Sequence, residues 1–328
     1  MYFGALPYKT KQFFFLIIKL SIVVGAFYFI YNRLVNNISL DFSEFIDFLN
    51  INQIFSITNI TILLSLTSAN WFFEIIKWQQ LVKTITPISL YEALKQSLAA
   101  QTASLFTPNR IGAYATKIAY YAKPFRKRIL LLNLIGNSMQ MLVTTILGTI
   151  GFVLFYNTYQ IDISFIRVTR FMIVLFFVVG ATALGATQKK YKIRGFSLDK
   201  IIRFIKQMPI KTPFVIFILA LIRYVIFSFQ FYFLLHVFGV TVSYYNAMIV
   251  ITSMYLIASI LPMLSIFDVV IKGSVAIYLF SIVDVNDVTI LSITTLMWIL
   301  NFVIPSMLGS LYVLNFKTYT PSKKIKTL

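Results

Sequence analysis

YEALKQSLAAQTASLFTPNRIGAYATKIAYYAK, Tyr91 to Lys123, is the stretch that decides the fold. Read as a helix, its first leg, Ala93 to Phe106, rises about 1.5 Å per residue and covers roughly 20 Å, too short for a hydrocarbon core of about 30 Å. Pro108 then removes a backbone donor and pushes Thr107 out of helical geometry. Asn109 favours a turn, and Gly112 relaxes the chain where a second leg starts. Two half-helices meeting at a Pro-Asn-Arg turn predict a re-entrant hairpin. Broken helices at membrane depth are tolerated only where they are buried in protein or line a wet cavity. A functional site is therefore expected at this break.

Composition agrees. At 59% hydrophobic and 17% aromatic residues, with mean hydropathy +0.84, the chain is far more apolar than a soluble domain. The formal charge of +19 comes without a basic soluble face, so it points to anchoring beside anionic lipid and not to nucleic acid. Cysteine is absent, which excludes thiol chemistry and Cys-ligated metal sites. With one histidine and no Walker-type phosphate loop, no metal, cofactor or direct nucleotide hydrolysis is expected.

Along the chain, apolar runs predict full spans at about Phe13–Tyr31, Ile54–Gln80, Ile129–Tyr156, Phe165–Thr187, Pro213–Phe238 and Val288–Leu314. The first has no small-residue cleavage motif after it and reads as a retained span, with Lys19 snorkelling. Lys77, Trp78 and Lys83 fit an interfacial belt. The acidic loops at Asp41 to Asp47, Asp162 and Asp284 to Asp287 are expected outside. The basic stretches Lys123 to Arg128 and Lys189 to Lys211, with both termini, are expected inside. Within the second basic stretch, SLDKIIRFIKQ reads as an amphipathic helix on an anionic leaflet.

A shift of 154 residues lays ISLYEAL, from Ile88, over VSYYNAM, from Val242, and Pro108 over Pro262. The order span, amphipathic loop, span, broken hairpin, span occurs twice. Each unit has an odd number of crossings, so the second copy is inverted. The expected fold is an all-α polytopic membrane protein of two inverted repeats, with about six full transmembrane helices plus two re-entrant hairpins. It forms a single transmembrane domain over residues 1–328: repeat one about 11–157, repeat two about 165–314, and a basic tail at 315–328.

The candidate substrate contacts are Arg110, Lys117, Gln101, Glu74, Arg223, Asp268 and Lys272, with the breaks at Pro108, Asn109, Gly112, Pro262 and Gly273. Arg110 needs a partner deep in a membrane, and its planar fork suits phosphate; the alternative partners are freed carbonyls or Glu74. Lys117 either shares that wall or snorkels. Ala93, Ser97, Gln101 and Ser104 make one small, polar helical face, read as close packing or a cavity wall. Arg223 is a second cavity cation, whereas Asp268 and Lys272 at i and i+4 read as a self-neutralising pair. His236, near a span end, reads as interfacial.

TPNRIGAYATKIAYYAK, after a span ending in Trp78 and an ISLYEAL lead, resembles the transmembrane region of lysylphosphatidylglycerol synthases, the flippase-like family. Pro108, Arg110, Ile111 and Gly112 match its first motif, with Asn109 in place of a Gly and Ala113 in place of a Glu. PMLSIFDVVIKGS keeps Pro262 and Gly273 of the second motif but has Lys272 where that family has a Glu. The resemblance implies a bacterial cytoplasmic membrane and handling of lipids, as a translocase without lysyl transfer; the cations of this sequence add an anionic lipid headgroup as the expected partner. The rivals are a membrane-embedded transferase and a non-transporting scaffold for a lipid-modifying or glycosyltransferase partner.

Overall fold

The computed structural model describes residues 42–105, 107, 110–159, 207–260 and 268–316, with isolated positions at 24, 192–193, 196–197 and 203–204. In chain order the helices are α1 Phe42–Ile51, α2 Ile57–Lys83, α3 Leu90–Ser104, α4 Ile111–Ala119, α5 Arg126–Tyr159, α6 Lys211–Val237, α7 Tyr244–Ile260, α8 Asp268–Ser281, α9 Asp287–Trp298 and α10 Ile304–Leu314. A π-helical turn, Ile299–Val303, joins α9 to α10. The only other elements among the described residues are two-residue strands, β1 Lys192–Ile193 and β2 Phe196–Ser197, paired antiparallel. The protein is thus essentially all-helical. Helices α2, α5, α6 and the continuous run Asp287–Leu314 are long and apolar enough to cross a membrane. The expected spans Phe13–Tyr31 and Phe165–Thr187, the residues Pro108, Asn109 and Pro262, and most of SLDKIIRFIKQ lie outside the described residues.

Local chemistry sets the boundaries. Ser89 accepts from Glu92 N at 3.1 Å while the Glu92 carboxylate accepts from Ser89 N at 3.1 Å, a reciprocal cap that starts α3 at Leu90, ahead of the expected Ala93. At 15 and 9 residues, α3 and α4 are about 22 Å and 14 Å long, and each falls short of a full crossing. The π-helical turn has a similarly local cause. Pro305 has no N–H for the carbonyl four residues before it, and the Asn301 carbonyl instead accepts from Trp71 Nε1 at 3.2 Å.

Two apolar cores mark the two ends of the bundle. One joins Ile75, Trp78 and Val82 of α2 to Ala93, Tyr121, Ile129 and Ile216. The other joins Leu49, Ile54 and Leu63 to Phe155, Leu234, Phe238, Phe280 and Val285. Helices α2 and α6 therefore run antiparallel, and the α3–α4 hairpin opens at the first end while the α7–α8 hairpin opens at the second. Lys83, Lys123, Arg126, Lys127, Arg128 and Lys211 gather at the first end; Asp47, Asp284 and Asp287 stand at the second. The run Asp287–Leu314 is the axis: 72% of its apolar window is buried, against 22% for α2 and for α5.

The glycines correct the expected breaks. Gly112 lies inside α4, and it is Arg110 that takes the left-handed backbone at φ 56°. Gly112 is needed for close approach, because a Cβ there would run into the Ala103 carbonyl of α3. Thr107 ties the same crossing, donating to Ala103 O at 3.0 Å and accepting from Gly112 N at 2.9 Å. Gly309 plays the same part between α10 and α3, where a Cβ would meet the Leu98 carbonyl. Gly273 is not at a break. It sits within α8, where a Cβ would make ordinary contacts of 3.7 Å with Leu291 and Thr294. Substitution by alanine should separate them: Gly112→Ala and Gly309→Ala should each lose about 1–3 kcal/mol in thermal unfolding in detergent. Gly273→Ala should hold or gain stability, by up to about 1 kcal/mol.

Candidate functional site

In the middle of α2, Glu74 accepts both Lys77 Nζ at 2.6 Å and Arg223 Nη1 of α6 at 2.5 Å on the same oxygen, Oε2. Arg223 reaches further, donating through Nε to Asn70 Oδ1 at 2.9 Å. Gln140 of α5 stands beside both cations, with Oε1 at 3.5 Å from Lys77 Nζ and 3.4 Å from Arg223 Nη1, while its amide nitrogen donates to Ala220 O. Asn70 passes the chain on by donating to Asn301 Oδ1 at 2.8 Å. Asn301 donates to Gln230 Oε1 at 2.9 Å, and Gln230 to Thr67 Oγ1 at 2.9 Å. An unbroken string of hydrogen bonds thus links α2, α5 and α6 to the π-helical turn.

The first hairpin brings further cations to this network. Arg110 Nη2 donates to Gln101 Oε1 at 2.9 Å, and its guanidinium stands 5.4 Å from the centre of the Phe302 ring. Lys117, 6% exposed, donates to Asn133 Oδ1 at 2.9 Å and rests 4.0 Å above the Trp78 ring. Trp78 Nε1 and the Tyr121 hydroxyl both donate to Gln96 Oε1 at 2.8 Å, which fixes the ring beneath the ammonium. From the second hairpin, Lys272 comes to 5.5 Å from the same Phe302 ring that faces Arg110. Lys117 lies within electrostatic range of Glu74, Lys77, Arg110 and Arg223. Three cations, Lys77, Arg223 and Lys117, thus lie around one carboxylate.

Unsatisfied atoms in this cluster include hydrogen-bond donors. With Oε1 of Gln101 turned to Arg110 and Oδ1 of Asn133 turned to Lys117, the amide orientations are dictated by the cations, and the two amide nitrogens are left buried without a partner among the described residues. Ser97 Oγ, one turn before Gln101, is also buried and unpaired. Cations with spare amide donors beside them are groups that can accept an anion.

Of the residues singled out in the sequence, Glu74 and Arg223 pair directly, Arg110 and Gln101 pair directly, and Lys117 and Lys272 reach the same cluster. Glu74 is not the partner of Arg110: its carboxylate pairs with Lys77 and Arg223 through Oε2, and Arg110 donates to Gln101. Lys117 does not snorkel. Lys77 and Trp78 are not interfacial: at 2% and 1% exposure they are satisfied inside by Glu74 and Gln96, while Lys83 is exposed at the helix end. Asp268 opens α8, and its side chain lies outside the described residues. His236 is exposed at the end of α6. Sequence reading missed Asn70, Gln96, Asn133, Gln140, Gln230 and Asn301. Their signal was a lone amide within an apolar run, which lipid does not tolerate without a partner. Among the described residues, no group of His, Cys, Asp and Glu could hold a metal ion.

No family model and no curated protein matches this chain. The geometry itself yields a test. Removing one partner of an enclosed ion pair costs about 3–5 kcal/mol. Since Glu74 would keep Lys77, Arg223→Ala should lose about 3 kcal/mol in thermal unfolding, whereas Glu74→Gln, which strands both Lys77 and Arg223, should lose more.

Proposed function

We propose that this protein is a flippase-like lipid translocase of a bacterial cytoplasmic membrane, and that the cation cluster is the station of an anionic phospholipid headgroup. The observation that carries this reading is the gathering of Lys117, Lys77 and Arg223 around the single carboxylate of Glu74, with amide donors on Gln101 and Asn133 beside it that have no partner among the described residues. A phosphate drawn into a low-dielectric interior loses hydration that only charge-assisted donors replace, each contributing about 1.5–3 kcal/mol. Arg110 occupies a left-handed backbone position next to the hairpin break, a strained placement of the kind found at ligand sites.

The reading takes the chain as two inverted halves whose hairpins enter from opposite faces and meet at the centre. It is supported by the opposite openings of the two hairpins and by Phe302, whose ring takes Arg110 from one hairpin and Lys272 from the other. The basic end is assigned to the cytoplasm by the positive-inside rule, and the end with Asp47, Asp284 and Asp287 to the outside.

Two measurements test this. The chain has no cysteine, so Lys127→Cys and Ser281→Cys report cleanly. In intact cells an impermeant maleimide should label Ser281→Cys, and should label Lys127→Cys only after permeabilisation; the reverse pattern overturns the orientation. In proteoliposomes, Arg110→Ala and Lys117→Met should slow movement of fluorescent phosphatidylglycerol at least about tenfold, the equivalent of losing one charge-assisted hydrogen bond. Both variants should unfold at temperatures close to that of the parent. Unchanged translocation in both variants would remove the site assignment.

A further inference from the structure

At the basic end, outside the cation cluster, the structure holds a half-open cleft of about 340 Å³. Its walls are the α2–α3 loop at Thr86, Pro87 and Ile88, the first turns of α3, and the α4–α5 turn from Tyr120 to Phe125. The volume is of the size that holds a small ligand. Its polar wall is built. Gln96 is 5% exposed, and its Oε1 is committed to Trp78 and Tyr121, so its amide nitrogen is the part left for the cavity, with no partner among the described residues. The Tyr120 hydroxyl is buried and has no hydrogen-bond partner among the described residues. Lys95 and Glu92 stand three residues apart on the same wall without forming an ion pair: Glu92 Oε2 is held by Ser89 N, and the Lys95 ammonium leans toward Tyr91, 5.5 Å from its ring.

We propose that this cavity binds a zwitterionic phosphoester, a phosphate joined through a short linker to a primary ammonium. Three donors, Lys95 Nζ, the Gln96 amide and the Tyr120 hydroxyl, take the phosphate oxygens. The Glu92 carboxylate takes the ammonium, flanked by the faces of Tyr120, Tyr121 and Phe125. A wall with one acid and one base, held apart by separate contacts, distinguishes this site from the cation-rich interior, which favours a net anion. Gln96 is the link between the two, because the same Oε1 that orients its amide also holds the Trp78 ring under Lys117. The site does not depend on the translocase reading, since its charged ligand contacts, Lys95 and Glu92, lie outside the cation cluster.

The test is calorimetric titration of the full-length protein in detergent with glycerophosphoethanolamine. Saturable binding is expected. Lys95→Met and Tyr120→Phe should each weaken it about tenfold, one hydrogen bond's worth. Glu92→Gln keeps the reciprocal cap, because glutamine also accepts from Ser89 N. It should weaken glycerophosphoethanolamine but strengthen glycerol phosphate, which carries no ammonium. Arg110→Ala should leave this binding unchanged while affecting lipid movement, so failure here is distinguishable from failure of the translocase reading. Displacement of the soluble ligand by phosphatidylethanolamine nanodiscs would assign the natural source to the bilayer, and no displacement would assign it to the aqueous phase. Absence of saturable binding, or equal binding by the Lys95, Tyr120 and Glu92 variants, would overturn the proposal.

Discussion

A single carboxylate oxygen, Glu74 Oε2, holds two cations inside an apolar helix bundle, and the arrangement of the bundle follows from it. Lipid offers helices no hydrophobic reason to associate, since the tails are as apolar as leucine. Polar contacts and close packing must supply the association. The Glu74 to Arg223 pair joins α2 to α6, Gln140 adds α5, and the amide string through Asn70, Asn301 and Gln230 brings in the axial helix at its π-helical turn. Where amides do not tie the bundle, glycines let backbones touch, as Gly309 does for α10 on α3.

That same pair sets the electrostatics of the interior. Glu74 offsets part of the charge of Lys77 and Arg223, and Lys117 stands in the same field with a neutral oxygen, Asn133 Oδ1, as its hydrogen-bond acceptor. Gln101 and Asn133 meet Arg110 and Lys117 with neutral oxygens and leave amide nitrogens over. Neutral acceptors stabilise a buried cation without cancelling it. The proposed headgroup would supply negative charge only while bound.

Much of this was legible in the sequence, and the reasons for the rest are physical. The spans at α2, α5, α6 and Asp287–Leu314 follow from apolar runs of bilayer length. The short first leg and its break were readable from Pro108 and Gly112, although the glycine serves close packing and Arg110 bears the unusual backbone. Lys77 and Trp78 were misread because a Trp-Lys pair near a span end looks like an interfacial belt. Nothing local reveals that Gln96 waits opposite Trp78. Arg223 and Glu74 are separated by 149 residues, so their pairing is a product of the tertiary fold. The π-helical turn could have been suspected from Asn301 lying four residues before Pro305.

The central claim is that the interior is built to hold an anion, and the lipids the protein retains test it most directly. Native mass spectrometry of the wild-type protein, extracted in mild detergent and progressively delipidated, reports which headgroups leave last. The account predicts that anionic phospholipids are enriched over their share of the source membrane and are the last to be stripped. Retained lipid that mirrors the bulk membrane, or lipid that is stripped without regard to headgroup charge, would contradict it.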